Sequence, residues 1–238
     1  NWKSYLNSDY KLDNKLLNNI NPYEINNFHN FSNNEENYLC ILCKDGRFKK
    51  ILYDNEMLKT NRTFTIIKTK KENNIINSFI SKENMILIII TSIGRLFKYK
   101  LDNKYIAPVS KQAQGSILNK LFPNEEIISC CTCKTDDYII IITKNGKFFK
   151  INENEIYNSH DSKLGYIDGK IQIKNDVFLD INIDKKYCEI VTNKERSAKI
   201  NFSKLKIDKN SKRLQIDFLN FDKDEYITNT YFFKKLID

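Results

Sequence analysis

The chain has little glycine, proline, histidine or tryptophan: 6 Gly, 3 Pro, 2 His and 1 Trp in 238 residues. So few glycines and prolines exclude collagen-like and Gly/Pro-rich disordered classes. No apolar run approaches the roughly 18 residues that a membrane span needs; the longest, Met85 to Ile90, is strand-sized. No signal-peptide pattern opens the chain, and Asn at position 1 fits a piece of a longer protein. Arginine is scarce as well, at 5 residues against 34 Lys.

What is abundant is Ile, Lys and Asn, with 35, 34 and 32 residues. At 41% hydrophobic and 12% aromatic, the chain can bury a sizeable core, and its length suits one large all-β domain. The net charge of +9 points to a polyanionic partner. Ile, Lys and Asn are also the residues that A- and T-rich codons encode. A solvated Lys-rich surface with no ligand therefore competes with the polyanion reading.

Cys40 and Cys43 form a CxxC, Cys130, Cys131 and Cys133 cluster, and Cys188 stands alone. Two close pairs of thiolates can hold zinc. However, Cys40 and Cys43 lie in an apolar, strand-like run and, three positions apart, point to opposite faces of it. Core cysteines in a reducing compartment are the better reading.

Four segments of the chain line up: Tyr38 to Lys50, Met85 to Lys98, Tyr138 to Lys150 and Tyr187 to Lys199. Each has an apolar β-branched run, a polar turn, a basic residue, two mostly apolar residues and a Lys. Gly46, Gly94 and Gly146 occupy the turn and Glu195 takes the fourth slot, at spacings of 48, 52 and 49 residues. Ile and Val fit a pleated, buried strand, and Asp45-Gly46 and Asn145-Gly146 are strong tight-turn dipeptides, so each segment reads as a β-hairpin. An apolar stretch precedes each hairpin, at Ile25 to Phe31, Ile75 to Ile80, Ile127 to Cys133 and Phe178 to Ile183. A short strand follows, for example Gly115 to Leu121 and Lys170 to Lys174.

About four strands per 50-residue unit predict an all-β propeller or β-pinwheel of four-stranded blades, with each blade buried on both faces. The units run roughly over 25–74, 75–125, 126–177 and 178–225, with a partial fifth over 226–238 that opens at Tyr226. Residues 1–24 lack the pattern and read as a linker or irregular segment.

The repeat resembles the C-terminal domain of DNA gyrase A, shared with its topoisomerase IV relative. Thr91-Ser-Ile-Gly94 and Thr143-Lys-Asn-Gly146 match that family's Thr-x-x-Gly turn. The loop Val109 to Gly115 sits where its second blade carries an Arg-Gly-Ala-Arg-Gly-like sequence, and Leu121 to Glu126 follows as its Leu-x-Pro strand end does. The resemblance covers about residues 25–238 and implies wrapping of duplex DNA around a basic rim, without base reading. It departs at the family's seven-residue box, Gln-Arg-Arg-Gly-Gly-Lys-Gly. The matching stretch, Lys59 to Thr65, keeps only the basic character of Lys59 and Arg62. That puts strong negative supercoiling in doubt and leaves DNA binding untouched.

Bending duplex DNA takes cations spaced along the phosphate path. The candidates are a post-turn series, Arg47, Arg95, Lys147 and Arg196, and a following series, Lys50, Lys98, Lys150 and Lys199. Arg62, Lys111, Lys163, Lys170, Lys212 and Arg213 add to them from loops. The two series differ by three positions and face opposite ways in a regular strand, which leaves open which of them meets DNA.

Catalytic readings fail on inventory. His29 and His160 lie in unrelated polar loops, and Gly165 and Gly169 are followed by no Lys-Ser/Thr of a phosphate loop. Asp136-Asp137 and Asp222 to Glu225 read as turn acids. The resemblance implies no catalytic residue, metal or cofactor in this segment. The cleavage tyrosine lies elsewhere in gyrase A, while ATP and Mg²⁺ belong to the whole enzyme, an A2B2 assembly with the gyrase B ATPase. A protein-interaction propeller whose charge records codon bias is the alternative, as is a topoisomerase IV-type domain for relaxation or decatenation. No membrane partner is expected. An AT-rich composition around a bacterial-type repeat suits a plastid of a protist, with a bacterial cytoplasm as the alternative.

Overall fold

The structure, a computed structural model, describes residues 37–53, 65–69, 74–160, 171, 173–204, 213–215 and 221–233, the segment 213–215 by its backbone alone. Hairpins form at all four copies of the repeat. They are β1 (Asn37–Cys43) with β2 (Arg47–Tyr53), β4 (Ile86–Thr91) with β5 (Leu96–Lys100), β8 (Tyr138–Thr143) with β9 (Lys147–Asn152), and β11 (Tyr187–Thr192) with β12 (Ser197–Asn201). Between them run β3 (Ile75–Ser81), β7 (Ile127–Cys133) and β10 (Phe178–Ile183), and β14 (Ile227–Phe233) follows the last. Two short pieces complete the set, β6 (Ser116–Ile117) and β13 (Arg213–Gln215).

The strands assemble into four antiparallel sheets among the described residues, in the orders β3-β1-β2-β6, β5-β4-β7, β10-β8-β9-β13 and β12-β11-β14. The strand before a hairpin does not join that hairpin. β3 pairs with β1, β7 with β4, and β10 with β8, so each closes the sheet before its own period. Ile227–Phe233, which by period opens a fifth unit, likewise pairs with β11 in the fourth sheet. Boundaries at 74, 125, 177 and 225 thus follow the sequence period, while the sheets exchange strands across them. The expected strand at Lys170 to Lys174 does not form where it is described: the Ile171 N–H donates to the Gly94 carbonyl, the Lys174 carbonyl accepts from Lys147 Nζ at 3.3 Å, and Ile171 and Ile173 pack on the core. Residues 1–36, with the apolar stretch from Ile25 to Phe31, lie outside the described residues.

Sheet stacks on sheet, which explains the unbroken apolar runs. Leu87 and Ile89 of β4 pack with Tyr38, Cys40, Leu42 and Phe48 of the first sheet. Their neighbours Ile86, Ile88 and Ile90 pack with Ile139 and Ile141 of the third. Ile140 and Ile142 then meet Cys188, Ile190 and Ile200 of the fourth. Strands covered on both faces have no alternation to show. Fully burying one such Ile is worth about 1.5–3 kcal/mol.

The edge strands β3, β7, β10 and β14 pack on one another in sequence order. Asp180 of β10 links three sheets there, accepting from Ser129 Oγ of β7 at 2.7 Å and Thr230 Oγ1 of β14 at 2.5 Å. All six cysteines are buried. Burial pushes the Cys40, Cys130, Cys133 and Cys188 thiols up to about 12, far from the thiolate a metal or an oxidant needs.

Candidate nucleic-acid interface

The hairpin turns place the first cation series. Gly46, Gly94 and Gly146 sit at φ +82°, +80° and +80°, and Glu195 holds the same left-handed conformation at φ +60° without glycine's freedom. A side chain there costs roughly 1 kcal/mol.

The residue after each turn does not face solvent as a series. Arg95 is fully buried, with its guanidinium forked onto Glu125: Nε donates to Oε1 at 2.8 Å, Nη2 donates to Oε2, and Nη2 also donates to the Lys120 carbonyl. The rings of Phe97 and Phe122 lie 4.8 and 4.3 Å from its Cζ. Burial pushes the Glu125 carboxyl up, but hydrogen bonds from Arg95, the Phe122 N–H and Thr91 outweigh it and hold the group below its usual value. Arg196 repeats the fork on Glu225, which it draws down to about 2. Lys147 faces Asp176 at 3.9 Å, and Arg47 faces Asp45 at 3.8 Å.

The following series turns inward. Lys50 is 1% exposed, donating to Asn103 Oδ1 at 2.8 Å, to the Ile106 carbonyl at 3.2 Å and to the Leu101 carbonyl, with Tyr38's ring 4.2 Å away. Lys98 pairs with the buried Glu153, and Lys150 with Asp184 at 2.5 Å. Of this series only Lys199, on β12, is exposed.

Arg95 and Lys50 therefore cannot touch a phosphate, and Lys98 and Lys150 are largely covered and neutralised; as DNA contacts these four are corrected. Arg47, Lys111, Lys147, Arg196 and Lys199 keep at least partial exposure. Arg62, Lys163, Lys170 and Lys212 lie outside the described residues, and Arg213 is placed only by its backbone in β13.

The acid partners went unread in the sequence, yet they carry a signal. Glu125, Asp176 and Glu225 each stand two residues before a strand, β7, β10 and β14, and 29 or 30 residues after their cation. A fixed cation-to-acid offset recurring with the period marks an internal ion pair. Lys49 was missed as well. It is 1% exposed, and its ammonium donates to the Ile66 and Lys111 carbonyls at 2.5 and 2.6 Å. Burial lowers its pKa, and that of Lys50.

No protein-family model matches the sequence, and no curated protein matches it. Solved structures do match the fold. The C-terminal domain of DNA topoisomerase IV superposes with a TM-score of 0.62 at 17% identity, over 74% of this chain and 55% of that one. The DNA gyrase A C-terminal domain gives 0.52 at 17% identity, over 76% and 62% of the two chains. The E. coli ParC C-terminal domain gives 0.55 at 16% identity, over 83% and 80%. The chain thus has the β-pinwheel fold of these domains and spans little more than half the length of the first.

Proposed function

We propose that this chain binds and wraps duplex DNA, without base specificity, as the C-terminal domain of the DNA-cleaving polypeptide of a type IIA topoisomerase. The observation that carries this reading is a pinwheel fold combined with a surface surplus of cations. The forked and buried pairs remove equal numbers of both signs, so the net +9 is not consumed by them. Lys49 and Lys50, held by neutral oxygens, account for only two of the nine. The rest of the surplus lies on other residues, among them Lys111 and Lys199.

Wrapping needs contacts whose sum exceeds the bending cost. Curving 20–30 base pairs costs roughly 1–6 kcal/mol, and each neutralised phosphate releases counterions. Affinity for duplex DNA is expected to fall steeply and linearly on a log–log plot against salt, with little dependence on sequence. A salt titration of duplexes of different sequence checks this. No binding at about 50 mM salt contradicts it.

Within this class we favour gyrase A, with supercoiling weakened by the degenerate box at Lys59 to Thr65. Its partners are then the rest of gyrase A and the gyrase B ATPase, which supply ATP and Mg²⁺ chemistry, in a plastid of an AT-rich protist. A topology assay of the whole enzyme with and without this domain separates supercoiling from relaxation.

A further inference from the structure

Outside β2, along the open edge of the first sheet, runs a strap of chain that the repeat alone does not single out. Residues 103–124 contain Lys104, Lys111 and Lys120 and no acid. The corresponding stretch after the third hairpin, 153–171, carries Glu153, Glu155, Asp161 and Asp168 against two lysines. The strap is fixed along its length. Val109 N–H donates to the Lys50 carbonyl at 2.8 Å, β6 pairs with Arg47 and Phe48, and Leu118 N–H donates to the Gly46 carbonyl at 3.0 Å. Tyr99 Oη donates to the Leu118 carbonyl, and Arg95 donates to that of Lys120.

Two buried ammonium groups hold the strap from below. Lys50 grips its start through Asn103 and Ile106, and Lys49 grips its middle through the Lys111 carbonyl. The same Lys49 binds the Ile66 carbonyl, and Lys68 N–H donates to Gln114 Oε1, so a second acid-free piece, 65–69 with exposed Lys68, lies alongside. Lys104 and Lys120 are exposed, as are Tyr105, Val109, Ile117 and Phe122 of the strap. An exposed strip that mixes cations and apolar groups, free of carboxylates in its sequence and pinned in place, meets a phosphate backbone with little ordering cost.

We propose that this strap is a seat for duplex DNA, with Lys68, Lys104, Lys111 and Lys120 along the phosphates and Lys49 and Lys50 as positioning residues that never touch them. The inference rests on the DNA-binding reading above and assigns it a surface. Buried lysines facing carbonyls orient the main chain; the ammonium groups at the strap's surface do the binding.

The test compares two triple variants of the full chain in duplex binding across a salt series. Lys104→Gln/Lys111→Gln/Lys120→Gln is expected to lose at least about tenfold in affinity and to flatten the salt slope by roughly 2–3, one step per lost phosphate contact. Lys134→Gln/Lys174→Gln/Lys223→Gln removes three exposed lysines from acid-bearing turns and is expected to stay within about twofold of the parent. Lys49→Met is expected to weaken binding too, with faster amide exchange over 109–115 and unchanged exchange in the β4/β5 hairpin. Equal losses from the two triples, or unchanged binding by Lys49→Met with loosened 109–115 amides, overturn the seat or its positioning. Failure of the parent chain to bind duplex DNA overturns the functional reading itself.

Discussion

Gly94→Ala lowers the melting temperature by on the order of 10 °C, because three costs fall on one methyl group. Gly94 has φ +80°, where an L side chain loses about 1–2 kcal/mol. A Cβ there would stand 2.3 Å from the Ile171 carbonyl oxygen and 2.9 Å from the Phe178 ring. Backbone must move, at a typical overpacking cost of about 1–3 kcal/mol. That movement breaks the Ile171 N–H to Gly94 carbonyl bond of 2.9 Å, which ties the third unit's return chain to the second hairpin, for about 1 kcal/mol more. The sum, about 3–6 kcal/mol, is a large share of the 5–15 kcal/mol that holds most domains together. Gly46→Ala meets its nearest backbone atom, the Asn119 oxygen, at 2.9 Å and is expected to lose less. Calorimetry of both variants checks the order; a Gly94→Ala melting point within about 2 °C of the parent contradicts it.

Glu125→Gln is expected to destabilise the fold by a similar amount, about 3–5 kcal/mol, because it leaves the Arg95 guanidinium charged in the interior without a counter-charge. Arg95 and Glu125 have side chains 1% and 0% exposed, so water cannot take over the lost partner. Replacing both partners, as Arg95→Met/Glu125→Leu, removes the desolvation cost along with the attraction and is expected to restore most of the loss. Denaturant melts of the two singles and the double form the cycle. Arg95→Met also separates the structural role from a DNA-binding one. Below its own melting transition it is expected to bind duplex DNA as the parent does. Lost affinity with undiminished stability would make Arg95 a contact and refute the pairing as its reason for being there.

How far the sequence carries is visible in these same residues. The four hairpins are local objects, set by β-branched runs and turn dipeptides a few residues apart, and they form where the pattern puts them. Which sheet takes β3 or β14 depends on pairing between distant strands, and period alone assigns Ile75–Ser81 and Ile227–Phe233 to the wrong neighbours. The periodic cations were equally legible as positions and misleading as chemistry. Their recurrence arises because the fold repeats an ion pair, Arg95 with Glu125 and Arg196 with Glu225, and not because DNA selects each of them. Lys49 shows the converse. Its counterparts are Phe97, Phe149 and Ala198, so a reading built on repetition passes over a residue that anchors the middle of the strap.

The most direct measurement of wrapping is the linking number of a closed circular plasmid relaxed by an independent topoisomerase in the presence of increasing amounts of this chain. A duplex curved around the domain traps writhe, so the topoisomer distribution is expected to shift in one direction, in proportion to bound protein, and to return as salt disrupts the phosphate contacts. Saturating binding with an unshifted distribution would mean that the domain holds DNA without bending it, and would contradict the account.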